Sequence, residues 1–286
     1  YYWGFERPGL KEYGLEIEKK WNRVYGRTPT NTFSLGFYAQ PKIDLNRLGH
    51  LGYSNGKLAV GYLTWSSKIG FIEIDLNGST TLGSFSDWNF TRLYSTWNFS
   101  KTKSRFRYSQ RGIIGKIWTD KYVLPGQEAF NIEGNSSNDM LRKNYLLDQF
   151  YGQDTMFSHY HYPGEGNIRG FVGKGESGAE ALVAFSNELI FSKDIFNIST
   201  DYALFADAGS FFSRRIYQWG FEPAEYQGEG YNARIYADAG FGIRFNTNLY
   251  EKDLFLRLDF PFLLYDDNTG YKFRMSNWIF SFQRSL

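Results

Sequence analysis

Apolar and polar positions alternate along most of this chain with a period of two, and no stretch sustains a helical period over three turns. The alternation predicts strands over 13–21, 33–41, 57–65, 70–77, 91–99 and 105–115, and again over 181–191, 202–211, 234–246, 254–262 and 273–282. These segments are close to the roughly 9–11 residues that a tilted membrane strand requires. The segment 234–246 sorts cleanly. Ile235, Ala237, Ala239, Phe241, Ile243 and Phe245 share one face, and Arg234, Tyr236, Asp238, Arg244 and Asn246 share the other. In 181–191, Val183, Phe185, Leu189 and Phe191 oppose Ala184, Ser186 and Glu188, with Asn187 as a polar exception on the apolar side. In 254–262, Leu254, Leu256, Leu258, Phe260 and Phe262 oppose Phe255, Arg257 and Asp259. A barrel in lipid turns the apolar face outward, and a soluble barrel or sandwich turns it inward. Periodicity alone leaves both open.

The connections separate them. Links alternate between short or medium (66–69, 100–104, 246–253) and long (42–56, 78–90, 212–233), with one very long link, 116–180. Membrane barrels carry short periplasmic turns on one rim and longer extracellular loops on the other. Assigning the shorter links to the periplasm places the carboxyl terminus there and makes the first segment run inward. An upward strand must then precede it, and residues 1–7 followed by the turn-forming Pro8-Gly9 supply one, giving an even twelve. The fold class expected is therefore an all-β, transmembrane antiparallel β-barrel of about 12 strands, within a range of 10 to 16. Residues 1–286 form one barrel domain in this reading, with 118–180 as a long extracellular loop.

Composition agrees with a membrane barrel. Aromatic residues make up 20% of the chain while mean hydropathy is only -0.47, as expected where lipid-facing and lumen-facing residues alternate. No apolar run is long enough for a transmembrane helix. Trp3, Tyr13, Trp21, Tyr25, Trp65, Trp88, Trp97, Trp118, Tyr217, Trp219 and Trp278 fall near segment ends, where amphipathic rings seek the membrane interface. The absence of cysteine removes disulfides, thiol catalysis and cysteine zinc sites. A net charge of +2 gives no electrostatic footprint for nucleic acid. The chain opens at Tyr1-Tyr2-Trp3 without Met or a signal-type apolar region, and reads as a mature or trimmed product.

Five motifs then follow in order: Gly164-Glu165-Gly166-Asn167-Ile168-Arg169-Gly170-Phe171, Glu188-Leu189-Ile190-Phe191, Phe205-Ala206-Asp207-Ala208-Gly209, Gly240-Phe241-Gly242-Ile243-Arg244-Phe245-Asn246 and Leu256-Arg257-Leu258-Asp259-Phe260-Pro261-Phe262. Together, over roughly 125–286, they resemble the bacterial surface antigen superfamily of outer-membrane barrels, which includes the barrel subunit of the outer-membrane assembly machinery and two-partner secretion transporters. The resemblance implies that the loop carrying Gly166, Ile168, Arg169, Gly170 and Phe171 folds back into the lumen. It implies that Arg169 pairs with Asp207, the acid of the F-x-D-x-G motif, with Glu188 as a second inward acid. A guanidinium inside a barrel needs carboxylates, and the inward parity of Glu188 and Asp207 provides two. Gly166 and Gly170 are expected to permit the turn geometry of the loop tip. Trp278, Phe280 and Phe282 on one face of the last segment resemble the family's carboxyl-terminal signal strand, with Leu286 in place of the usual terminal aromatic. Two departures from the family's pattern are expected: about twelve strands and their loops use all 286 residues, without the periplasmic domains that the family carries ahead of a sixteen-stranded barrel, and 135–162 enlarges the loop.

Other chemistry is thinner. His159, His161, Asp154 and Glu165 have the residue types of a zinc site but nothing orients them. Asp266-Asp267-Asn268 before Gly270 has part of a calcium loop and reads better as a hairpin turn. Glu73, Asp75, Asp238 and Asp259 are inward by parity, as lumen charges ordinarily are. Aromatics in 217–231 could stack sugars or bases, yet no basic groove accompanies them. No catalytic motif of a hydrolase or phosphate-binding loop occurs. The expectation is a non-enzymatic barrel with no metal and no cofactor, in the outer membrane of a Gram-negative bacterium. It would be of the assembly or translocation type, taking part in membrane-protein insertion or polypeptide passage. The alternatives are an anchor for an upstream or partner enzyme, and a free-standing dimeric barrel. Expected partners are outer-membrane lipid, a second copy, or a periplasmic or surface protein, and not nucleic acid.

Overall fold

The computed structural model describes residues 2–7, 10–21, 30–41, 56–119, 124, 128–132, 165–171, 177–195, 198–213, 232–249, 252–274 and 277–284. Its strands are β1 (Tyr2–Arg7), β2 (Leu10–Trp21), β3 (Asn31–Gln40), β4 (Leu58–Ile69), β5 (Ile72–Thr81), β6 (Phe90–Lys103) and β7 (Phe106–Thr119). A two-stranded element, β8 (Phe130–Asn131) with β9 (Ser177–Ala179), follows. Then come β10 (Ala181–Ile195), β11 (Ile198–Ser213), β12 (Asn232–Leu249), β13 (Lys252–Asp266), β14 (Gly270–Phe273) and β15 (Ile279–Arg284). Apart from β8 and β9, each strand pairs antiparallel with the next, and β7 pairs directly with β10 across the very long link. β14 and β15 both pair with β13, along its upper and lower halves, so they fill one position and the sheet has twelve.

The expected first strand is present, with Arg7 paired to Leu10 around Pro8-Gly9. The last segment, expected unbroken over 273–282, is split instead. Leu263 pairs with Phe273 but Asp259 pairs with Ile279, so five residues face three across the gap. Pro261 lies in this stretch and has no N–H to give a neighbour, and the β12–β13 register also slips there, between Ala239 and Gly240. The bulge reverses the parity of β13: Asp259 points inward before it, and Leu264 after it. β6 runs four residues past the segment read from sequence, because 100–103 is polar on both faces and carries the hairpin beyond the apolar band. Its turn closes at Ser104, in the left-handed region with φ 55°.

The barrel is apolar outside. Ile17 is 68% exposed and Leu204 63%, while alternate positions of the same strands turn inward. A second apolar cluster fills the lumen at the long-loop end. Leu58, Val60, Phe90, Ile113, Ile117, Leu182, Phe211 and Tyr236 of the wall pack there on Leu124, Ala129, Phe130, Ile132, Ile168 and Phe171 of the long link. Below it the inward positions are polar and half-buried, among them Thr64, Asp75, Asn77, Thr96 and Asn98.

The aromatic girdle needs correction at two places. Tyr13, Trp21 and Trp118 do stand exposed near strand ends. Trp88 instead is buried in the lumen cluster, because the β5–β6 link folds inward, with Asp87 N–H donating to the Lys57 carbonyl at 2.9 Å. Trp97 sits in mid-strand over Gly112, edge-on to Phe185 at 5.6 Å. Tyr25, Tyr217 and Trp219 lie outside the described residues. The short-turn rim has its own belt, which includes Phe71, Phe99, Phe106, Tyr108, Phe191 and Tyr202.

A charge on the outer face tests this inside-out arrangement. Leu204→Arg is expected to lower folding stability in lipid vesicles by about 2–4 kcal/mol, whereas Asn77→Arg in the polar lumen changes it by less than about 1 kcal/mol. Denaturant titration of the folded fraction measures both, and equal costs would contradict the assigned faces.

Candidate functional site: the lumen plug and its two clasps

Two limbs of the long link meet inside the barrel. Gly166 N–H donates to Asn131 O and Ile168 N–H to Ile132 O, each at 3.0 Å, so 128–132 and 165–171 lie side by side. β9 then leads into β10 through Glu180, whose N–H donates to Phe212 O at 3.0 Å and whose carbonyl accepts from Ile117 N–H at 2.7 Å. The tip, Arg169–Phe171, is a single 3-10 turn, and all three residues are buried.

The glycines act differently from the expectation. Neither Gly166 nor Gly170 adopts a positive φ; Asn167 does, at 58°. What they provide is space. A Cβ at Gly166 would stand 2.3 Å from Ile132 O, and one at Gly170 would stand 2.2 Å from Leu264 Cδ2. Asn167 suits the left-handed position, and its Nδ2 donates to Ser186 Oγ at 3.1 Å.

Arg169 is 2% exposed and uses its whole fork. Nε and Nη2 donate to Asp207 Oδ2 and Oδ1, both at 2.7 Å. Nη1 donates to Glu188 Oε1 at 2.6 Å, and Nη2 also reaches Ser186 Oγ at 3.2 Å. Phe205 lies flat beneath, with Cζ 3.7 Å from the ring centroid. Asp207 is fixed in turn by Ser186 Oγ–H at 2.6 Å. The structure thus brings Arg169, Asp207 and Glu188 together and adds groups that the sequence placed on the inward face without assigning them to this contact. Arg257 donates to Glu188 at 2.7 Å and to Asp259 at 2.8 Å, and Asp259 lies 3.6 Å from Arg169 Nη1. Asp238 accepts the Gly170 N–H at 2.6 Å. Phe171 packs edge-on against Tyr236 at 4.7 Å, and Ile168 is fully buried beside it in the lumen cluster.

A second clasp holds the neighbouring β6 and β7 wall with its polarity reversed. Here the strand supplies the arginine and the plug supplies the acids. Arg92 of β6 donates to Glu165 at 2.5 Å and lies 3.8 Å from Glu128, so it grips both limbs at once. Its Cζ stands 4.4 Å from the Phe130 ring and 4.7 Å from the Tyr94 ring. Arg111 Nη1 donates to Glu165 O at 3.0 Å, Asn131 N–H donates to Glu165 Oε2, and Tyr38 hydroxyl donates to Glu128. Near the short-turn rim, Asp201 accepts from Arg244 and from Ser192.

The remaining expected sites are placed as follows. Glu165 serves the second clasp, while Asp154, His159 and His161 lie outside the described residues. Among the described residues no group of three His, Asp or Glu side chains could hold a metal. Asp266 closes a hairpin turn, accepting from Asn268 N–H at 2.9 Å, with Gly270 at φ 69°. Asp75 accepts from Thr96 at 3.0 Å. Trp278 stacks on Phe280 at 6.2 Å, so both share a side of β15. The side chain of Phe282, and Leu286 altogether, lie outside what is described.

The fold is similar to the crystal structure of BamA from Haemophilus ducreyi lacking POTRA domains 1-3, with a TM-score of 0.53 at 14% sequence identity over 96% of this chain and 54% of that one. The chain therefore spans about half the length of that protein, and the likeness is one of fold: a transmembrane β-barrel of outer-membrane type. No family model matches the sequence, and neither does any curated protein sequence.

Removing a buried charge leaves its partners uncompensated, at a cost of about 3–5 kcal/mol. Arg169→Ala is expected to lower stability by that amount and to expose the long loop to added protease in intact membranes. Arg92→Ala is expected to act in the same direction, and the double variant to depart from additivity by about 0.5–3 kcal/mol, since both clasps hold one plug. An unchanged digestion pattern with additive stabilities would show that neither arginine holds the loop.

Proposed function

We propose that this chain is an outer-membrane barrel of the assembly or translocation type in a Gram-negative bacterium, taking part in membrane-protein insertion or polypeptide passage. The observation that carries the reading is where the sheet is open. Among the described residues β1 pairs only with β2, and β14 and β15 only with β13, so each end of the sheet presents a backbone edge, and closure of the barrel brings the two edges together as a seam. Hydrocarbon cannot satisfy those groups, so the seam favours whatever strand can add to it. The lumen, by contrast, is packed with side chains at its long-loop end. A filled lumen and an open seam favour insertion over diffusion of small solutes. The fold likeness to a BamA barrel points the same way.

The seam is also where a second copy could dock, which is the competing reading. Because the chain has no cysteine, introduced pairs can lock each feature separately. A pair joining β1 to β15 locks the seam, and Asn167→Cys with Ser186→Cys locks the plug. Purified barrel in vesicles is expected to accelerate folding of an unfolded client barrel by at least about tenfold, the equivalent of 1.4 kcal/mol. The seam lock is expected to abolish this and the plug lock to leave it intact. Acceleration lost only with the plug lock would move the reading to polypeptide passage through the lumen. No acceleration, with a detergent-released particle of two copies, would replace it with the dimeric barrel.

A further inference from the structure

The β6–β7 hairpin, residues 90–119, contains no acidic residue and seven basic ones. Strand parity sorts them by face. Arg92, Arg107 and Arg111 turn into the lumen, where they meet Glu165 and Asp201. Lys116 lies beside Trp118 at the far rim, Arg105 lies in the turn, and Lys101 and Lys103 turn outward at the short-turn rim, on the side of the exposed Phe71 and Phe106, with Lys101 Nζ 6.0 Å from the Phe71 ring centroid. No carboxylate on the three strands β6, β7 and β10 shares this outer face, since Glu188 and Asp194, the only acids there, have inward parity.

Directly above the lysines the lipid-facing surface carries hydrogen-bonding groups. Lys101 pairs across the ladder with Tyr108, and Phe99 pairs with Gln110, which pairs with Asn187. Tyr108 Oη and Gln110 Nε2 both donate to Asn187 Oδ1, at 2.9 and 3.1 Å. With that oxygen taken twice, Asn187 Nδ2 and the second Gln110 Nε2 hydrogen are the donors the trio has to offer. Asn187 is the one polar side chain that interrupts the apolar face of 181–191, and the trio gives that interruption a position beside the lysines. Polar groups in the hydrocarbon region are costly unless something pairs with them.

We infer that the outer face formed by Lys101, Lys103, Tyr108, Gln110 and Asn187 is a binding site for an anionic phospholipid of the periplasmic leaflet. The phosphate meets the two lysines, whose stems run along the aromatic belt with the ammonium at headgroup level. Gln110 and Asn187 lie one ladder row deeper than Lys101, about 5 Å along the membrane normal for a tilted strand. That is the level of the glycerol ester carbonyls, which accept from Asn187 Nδ2. Phe99 against Tyr108, at 6.0 Å, and Phe106 against Phe191, at 5.2 Å, flank the site with apolar walls for the acyl chains. The inference uses only the membrane orientation of the barrel and is independent of the proposed assembly role.

The test is lipid retention. The full chain is reconstituted in phosphatidylethanolamine vesicles containing phosphatidylglycerol, extracted in mild detergent, and its bound lipid counted by native mass spectrometry. Phosphatidylglycerol is expected to be retained in preference to phosphatidylethanolamine, and Lys101→Gln or Lys103→Gln to reduce that retention about fivefold each. Asn187→Leu is expected to reduce retention of both lipids, because it removes the ester contact and leaves the charge. Lys19→Gln, on the outer face of β2 at the same rim, is expected to change nothing. All four side chains lie outside the lumen core, so folded mobility on gels is expected to stay that of the parent. Equal retention of the two lipids by the parent would overturn the site. So would a Lys19→Gln effect as large as that of Lys101→Gln, which would assign the preference to the general field of the rim.

Discussion

A peptide group inside a bilayer has no water to bond, so every strand must find partners on both sides or end. This constraint accounts for the long, regular registers of β10 to β13 and for the direct ladder between β7 and β10, which bypasses the whole of the long link. It also explains why the sheet's two irregularities coincide. Pro261 lacks a donor, and there the β12–β13 register slips and the twelfth position breaks into β14 and β15. In a soluble sheet water would repair such a break. In lipid the break sits at the edge of the sheet, next to the seam.

With the backbone committed to the wall, the apolar core has to be built from something else. The plug supplies it. Phe130, Ile132, Ile168 and Phe171 fill the outer half of the lumen, and their burial draws two limbs of the chain, far apart in sequence, into one layer. Apolar packing alone does not fix a loop's rotation or depth. The two arginine clasps do, since a forked guanidinium accepts few geometries and an unpaired buried charge costs several kcal/mol. Arg169 reaches from plug to wall and Arg92 from wall to plug, so the loop is held at two places by pairs of opposite polarity.

The fold class was legible because it rests on period-two alternation and link lengths, both local properties. The upward first strand, the face of Asp238 and Asp259, and the lumen parity of Glu188 follow from counting residues. Three kinds of feature escaped that counting. The break near Pro261 depends on two ladders meeting at one residue. The burial of Trp88 depends on a link folding inward, although its spacing suits the girdle. The Arg92 clasp joins groups 73 residues apart in sequence, and nothing near Arg92 distinguishes it from other lumen arginines. The glycines of the loop tip were misassigned for a related reason: a glycine in sequence suggests a turn, and only the packed neighbour, Leu264 or Ile132, shows that what it provides is room.

The distribution of order follows from these constraints. The β10 to β13 wall carries Glu188, Asp207, Arg257 and Asp259, which form one chain of ion pairs with Arg169 of the plug. That wall ends at β13, one strand position short of the edge formed by β14 and β15, and Asn277 between those two donates to Gly170 O at 3.4 Å. The plug is therefore tied to the segment that forms one edge of the seam as well as to the wall. The plug thereby touches that edge through one backbone carbonyl, while its charge pairs stay with the β10 to β13 wall.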